Sequence, residues 1–208
     1  VANVSVDTIS LIVRPMRGAA PGFVATWTSL TDRGKSLWSV AIGDDGKARG
    51  KPVELTRSTD DIAWVDIIPT DKGAVILWAE ETRGGDANLI GASLDTDGRV
   101  RESAVRVARG ITGWHALELP HGIGVSTVTG PKTNGPKGGG ALSFIRLDAD
   151  AHPVGAPTAV THAPVVSGDV EVVREGSGPS ARLFFAWTDR STEEPAVSIA
   201  ALDMQNGL

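Results

Sequence analysis

The chain has no cysteine and no tyrosine, and only 5 % of its 208 residues are aromatic. Without cysteine it has no disulfide, no thiol nucleophile and no thiolate ligand for a metal. The compartment stays open on that evidence, since both reducing and oxidising settings hold cysteine-free proteins. Positive charge is also scarce. Twenty Lys and Arg face 25 Asp and Glu, a formal net charge of -5. The field that would draw a polyanion is missing, so nucleic acid and anionic lipid are not expected partners. A helical period is absent throughout, and so is a charged region followed by an apolar run at the start, Val1. The expectation is a processed or trimmed product whose targeting segment is gone, with an extracytoplasmic setting: periplasmic, cell-surface or secreted.

What the sequence does have is ordinary in bulk and unusual in order. Hydrophobic content of 41 % and charged content of 22 % fit a soluble globular chain rather than a disordered or transmembrane one. A length of 208 residues suffices for one sizeable core, burying about 70 % of the unfolded surface. The 25 glycines and 12 prolines fall between short apolar runs, as in a chain that turns often. An all-β fold follows.

The runs recur. A strand-like segment appears as GFVATW (22–27), GAVILW (73–78), GIGVST (122–127) and RLFFAW (182–187), with Trp27 and Trp78 standing 51 residues apart. A turn rich in Asp and Gly follows one strand later, starting at Gly43, Asp95, Asp148 and Asp203, in steps of 52, 53 and 55. Each copy then offers a third strand, PVELT (52–56), AVRVA (104–108) and PTAVT (157–161), except the fourth. A further run sits ahead of each Trp-ending strand: ISLIVRP (9–15), IAWVDIIP (62–69), WHALELP (114–120) and VEVVR (170–174). Four short strands per unit of about fifty residues, separated by turns, is the pattern of a propeller blade.

Over essentially its whole length the chain thus resembles β-propeller repeat proteins in general. It lacks the Trp-Asp and Gly-His signatures of WD40 repeats and the Asp-box of sialidases, so the resemblance stops at that level. The expected architecture is a single all-β domain, a propeller of four antiparallel blades at about 8–56, 57–108, 109–161 and 162–208 plus 1–6. Shifting the second copy back by 51 residues lays Val53, Leu55 and Thr56 on Ala2, Val4 and Ser5, so VANVS (1–5) reads as the outer strand the fourth copy lacks. The ring is expected to close on its own two ends. The competing reading is a larger ring, completed by further sequence or by another chain.

With the strands named A to D outward from the axis, the A–B and C–D turns share one face, and the B–C and D–A loops share the other. Loops on a rigid scaffold carry function more often than the scaffold, and the second face is expected to hold the longer ones: 28–36, 80–88, 129–140 and 188–195, with 57–61, 109–113 and 162–169 nearer the axis. Arg57, Asp60, Asp61, Arg109, His162 and Asp169 lie just before inner strands. Together with Glu80, Arg83, Asp189 and Arg190 they form the candidate binding set, for a protein partner or assembly first and a glycan second. The competing reading makes them cap and turn residues.

Other motifs reduce to scaffold. GPKTNGPKGGG (130–140), with Lys132 and Lys137, has the glycines of a phosphate loop but precedes a strand rather than a helix, so it reads as an exposed insertion. The Asp-x-Asp-Gly turns supply only two carboxylates each in a span too short for an EF-hand loop, and read as hairpin turns rather than calcium sites. Of the six tryptophans, Trp27, Trp78 and Trp187 share one position and Trp64 and Trp114 another, which favours core packing over carbohydrate stacking; Trp38, opposite Ile90 in the next copy, is freer. Catalytic patterns are missing. There is no tyrosine nucleophile, no Gly-x-Ser-x-Gly elbow, and no zinc spacing among His115, His121, His152 and His162. Asp61 with Asp169 is the one carboxylate pair singled out for a glycoside hydrolase. Neither cofactor nor metal is expected, and the leading function is a non-catalytic interaction module, followed by a lectin and then a glycoside hydrolase.

Overall fold

Short apolar or alternating runs between glycine-containing turns produce strands throughout, with successive side chains on opposite faces; residues 73–79 and 123–128 are buried on both faces. The computed structural model describes residues 8–17, 21–32, 34–83, 85–130, 140–161, 170–177, 181–189 and 196–204. Among them the chain runs β1 (Thr8–Met16), β2 (Gly22–Thr31), β3 (Gly34–Gly43), β4 (Val53–Ser58), β5 (Asp61–Thr70), β6 (Gly73–Glu81), β7 (Ala87–Leu94), β8 (Val100–Leu119), β9 (Gly122–Thr129), β10 (Ala141–Leu147), β11 (Thr158–Ala159), β12 (Val170–Glu175), β13 (Arg182–Asp189) and β14 (Ala196–Asp203). No α-helix occurs among the described residues, and hence none long and apolar enough to cross a membrane.

Each repeat is an antiparallel meander: β1-β2-β3-β4, β5-β6-β7-β8, β8-β9-β10-β11 and β12-β13-β14. The second and third share β8. This corrects the expected loop at 109–113. The stretch Arg109-Gly110-Ile111-Thr112-Gly113 has turn composition, yet the chain stays extended through it. Gly110 at φ 61° and a bulge between Ile111 and Gly113 bend the strand while its hydrogen-bonding partner changes from β7 to β9. A bulge inserts a residue and turns the strand without ending it. Similar irregularities break the register near the start of β1, between Thr8 and Ser10, and of β5, between Ala63 and Asp66.

Other expected loops are shorter than the sequence suggested. The pairing of β2 with β3 continues to Thr31 with Gly34, because the Thr and Ser residues there extend the ladder. Glu80 and Asp189 lie inside β6 and β13, and Arg57 and Asp61 inside β4 and β5. The VANVS segment, the insertion at 131–139, the loop 162–169 and residues 190–195 lie outside the described residues.

The chain divides into two compact units with the changeover between Val107 and Ala108, inside β8; the turn Ala149–His152 belongs to the first. In the first unit, Val24, Leu37 and Ala41 of one sheet meet Ile76, Trp78 and Leu94 of the next. In the second, Leu142 and Phe144 meet Leu183, Phe185 and Trp187, with Phe144 edge-on to Phe185 at 5.8 Å. Trp78 and Trp187 are buried, as the repeat implied. Trp64 is not: it is 45 % exposed with φ 48°, next to the β5 bulge, where Trp114 at the same repeat position is half-buried in regular register. The bulge re-aims that one side chain, which periodicity alone does not reveal.

The Asp-rich turns are hydrogen-bonded hairpin turns. Gly46 and Gly98 amides donate to the Gly43 and Asp95 carbonyls at 3.0 Å each. Asp95 Oδ1 accepts from the amides of Asp97 (2.9 Å) and Arg99 (2.8 Å), and Asp45 Oδ1 from that of Lys47 (3.0 Å). In the third copy Ala151 takes the left-handed position, at φ 67°.

Candidate functional site

The first unit gathers charged side chains where the β2–β3 hairpin lies against the β4–β5 connection. Lys35 pairs with Ser58, and Ser36 with Arg57, along the β3–β4 ladder. This puts Lys35 against Asp61 at the start of β5, in an ion pair. Ser36 Oγ donates to Glu54 Oε1 at 2.7 Å. Arg57 grips the same carboxylate with both arms of its fork, Nε to Oε1 at 2.8 Å and Nη2 to Oε2 at 3.0 Å. The hydrogen bonds from Arg57, then that from Ser36, hold the Glu54 carboxyl below the usual glutamate range, while Glu54 in turn raises Arg57. Asp60 sits in the two-residue connection, its amide donating to Ser58 Oγ at 3.1 Å.

A carboxylate stabilised in this way stays ionised at neutral pH. General-acid catalysis needs the reverse, a carboxyl whose pKa is raised toward the working pH. The cluster sets Lys35 and Arg57 against Glu54, Asp60 and Asp61, one more negative charge than positive. Its chemistry is that of a locked charge network at one end of the sheet.

Glu80 and Asp189 occupy one structural position, two residues after Trp78 and Trp187. Trp78 Nε1 donates to Glu80 Oε1 at 3.1 Å, and Thr56 Oγ1 to the same oxygen at 3.3 Å. Asp189 Oδ2 accepts from Ser198 Oγ at 3.4 Å, and the buried Trp187 Nε1 has no hydrogen-bond partner among the described residues. The aspartate is one methylene shorter, and the indole nitrogen stays out of its reach. Glu80 therefore serves the buried tryptophan of β6, while Asp189 holds Ser198 on the neighbouring strand.

Of the remaining candidates, Arg83 is exposed after β6 and Arg109 is exposed inside β8. His162, Asp169 and Arg190 lie outside the described residues, so the Asp61–Asp169 pair does too. The structure therefore brings Arg57, Asp60 and Asp61 to one corner with Glu80 beside them, paired with Ile62 and accepting from Thr56; Arg83 follows two residues beyond β6, and Arg109 and Asp189 belong to the second unit. Lys35, Ser36 and Glu54 were missed by sequence reading. Their only signal was the spacing of Glu54 and Arg57, since Lys35 and Asp61 meet across 26 positions. Further pairs link inner strands within each unit: Arg14 with Asp66 at 3.6 Å in the first, His115 Nδ1 with Glu171 at 3.4 Å in the second. Among the described residues no three His, Asp or Glu side chains gather as a metal site would require.

No known protein family matches the chain, and no curated protein matches it. Its fold is similar to that of a thermostable family-43 glycoside hydrolase. The likeness extends over 97 % of this chain and 73 % of that one, with a TM-score of 0.50 and 10 % sequence identity. That protein is a five-bladed β-propeller. At such low identity the likeness concerns fold alone, and it agrees with the repeated antiparallel sheets described above.

Proposed function

We propose that this chain is a non-catalytic interaction or assembly module of the extracytoplasmic space, built on a four-repeat propeller scaffold and forming one domain. The observation that carries the reading is the contrast between its polar and apolar surfaces. Four of the polar candidates are engaged in internal contacts: Asp61 with Lys35, Arg57 with Glu54, Glu80 with Trp78 and Thr56, Asp189 with Ser198. Apolar side chains on β14 stay exposed, with Val197 at 74 % and Ile199 at 69 %. Contiguous exposed apolar surface on a soluble fold marks interaction sites.

In the self-contained version of this scaffold, VANVS adds to the free edge of β14 and the four repeats close their own ring; in the other, the ring is larger than this chain. Deleting residues 1–6 separates them, since self-closure requires the deletion to lower the melting temperature and a larger ring does not.

A glycan is the second reading, supported by Trp64, an exposed indole whose left-handed backbone is the kind of strain that collects at functional sites. A glycoside hydrolase is the third, supported only by likeness of fold. A glycan array and a panel of aryl glycosides test all three. The interaction reading expects neither binding nor turnover; turnover that disappears in Asp61→Asn overturns it in favour of the hydrolase, and glycan binding that disappears in Trp64→Ala overturns it in favour of the lectin.

A further inference from the structure

Three of the four repeats give their third strand two neighbours: β3 lies between β2 and β4, β7 between β6 and β8, and β10 between β9 and β11. β14, the third strand of the last repeat, pairs with β13 on one side, and among the described residues no strand pairs with the other. Burial follows that difference. Six of ten residues in β3, six of eight in β7 and four of seven in β10 are buried, whereas none of the eight in β14 is. Even Ala200 and Leu202, which pack on the core of the second unit, stay only partly buried. That is what a missing neighbour strand leaves.

An open strand edge is a row of unpaired N–H and C=O groups, and proteins ordinarily blunt it with charge, proline, a bulge or shortness. Where β4 and β11 end their sheets, they are blunted. β4 carries Glu54 and Arg57, and its ladder to β3 shifts register between Leu37 and Trp38; β11 is two residues long. β14 has none of these devices. It runs Ala196-Val197-Ser198-Ile199-Ala200-Ala201-Leu202-Asp203 in unbroken register with β13. Val197 and Ile199 are the most exposed large apolar side chains among the described residues. The one charge, Asp203, stands at the end of the strand, bound by Arg182 at 2.8 Å.

We infer that β14 is a docking edge for a second copy of this chain, whose own β14 adds to it antiparallel so that the two sheets run on as one. Antiparallel pairing of a strand with itself is two-fold, the same patch serving both copies. With the axis at Ile199, Val197 of one copy lies across from Ala201 of the other, and Ser198 from Ala200, so small or apolar side chains meet along the contact. The two Asp203 carboxylates then stand about eight residue steps apart, roughly 26 Å at about 3.3 Å per residue. That exceeds the Debye length of about 8 Å at physiological salt, and no like charges oppose each other. A second copy is the partner whose edge is vacant, uncharged along its middle and of equal length whenever this one is. A single pair of strands is a small contact, so the dimer is weak and reversible. This inference rests on the assembly reading, in the version that leaves β14 uncovered by VANVS, and names its partner.

Sedimentation equilibrium of the purified chain over a wide concentration range tests it, and the expected result is a reversible dimer. Val197→Lys with Ile199→Lys gathers like charges about the two-fold axis and abolishes the dimer, with far-UV circular dichroism unchanged because both side chains are exposed. Val173→Lys, also exposed and on the same side of the sheet but on the inner strand β12, leaves the dimer intact. A dimer lost equally in Val173→Lys is a contact through the face of the sheet and overturns the edge pairing. The chain has no cysteine, so single substitutions report the register. On oxidation, cross-linking between copies is greatest at one of Ser198→Cys, Ile199→Cys and Ala200→Cys and falls toward Ala196→Cys; yields with no peak inside β14 overturn the inference. So does a wild-type chain that sediments as a monomer at every concentration, including one that dimerises only once residues 1–6 are removed, where VANVS holds the edge instead. A monomer leaves the broader interaction reading standing, and that reading fails separately, on turnover or glycan binding.

Discussion

Replacing Trp78 by alanine should cost the first unit about 4 kcal/mol. The side chain is completely buried between two sheets, and a tryptophan removes roughly 150 to 250 Å² from water. At about 25 cal/mol per Å² that is a gross transfer term of about 4 to 6 kcal/mol. Measured losses for aromatic-to-alanine changes in cores fall at about 3 to 5 kcal/mol because the cavity partly collapses. The indole also donates to Glu80, but the carboxylate keeps Thr56 as a partner, so the lost bond adds about 1 kcal/mol or less rather than the cost of an orphaned charge. Urea unfolding followed by far-UV circular dichroism is the suitable assay, since fluorescence would lose one of its own reporters. Trp64→Gly is the control. It gives up a half-exposed indole and relieves a left-handed backbone worth about 1 to 2 kcal/mol, so the net change should lie within about 1 kcal/mol of zero. A Trp78→Ala loss below about 1 kcal/mol, or equal losses at the two sites, refutes the distinction between scaffold and surface tryptophans.

Gly98→Ala and Gly46→Ala change the same turn position in successive repeats, at φ 81° and 75°. A methyl group on Gly98 would meet Ala41 at 2.8 Å while one on Gly46 meets nothing, so thermal melts should show about 1 kcal/mol lost at Gly46 and about 2 to 4 at Gly98. Asp189→Glu restores the reach that Glu80 has and should give Trp187 Nε1 its missing acceptor, raising stability by about 1 kcal/mol; no gain on chemical denaturation counts against the equivalence of the two positions. Glu54 has a lowered folded-state pKa, so its contribution is present above the usual glutamate value of about 4.3 and fades as pH falls below it. Relative to Glu54→Gln the native chain should therefore be more stable at neutral pH, and the two should converge in acid; a difference that persists below about pH 3 would contradict the assignment.

The period was legible in the sequence because it rests on local patterning. Apolar alternation, the tryptophan positions and the Asp-Gly turns all recur at nearly fixed spacing, and the strands fall where they do. Partnerships across strands were not. Lys35 with Asp61 and Ser36 with Glu54 depend on ladder register between segments that show no mark of each other. Glu80 and Asp189 looked like loop residues because charge after an apolar run suggests a strand end, whereas pairing carries β6 to Glu81 and β13 to Asp189. The β8 stretch misled for the related reason that glycines signal a turn whether the chain reverses or only bends.

The continuity of β8 also governs where this polypeptide can be divided. Most sheets of this kind are joined by loops that a protease can enter or an engineer can cut. Here the changeover between units falls within a hydrogen-bonded strand, whose pairing with β9 begins at Ile111, close after it, so the backbone at the junction is held in a ladder rather than offered as a loop. Limited digestion should accordingly leave this junction intact while nicking connections elsewhere, and neither half is a natural boundary for expression, insertion or permutation.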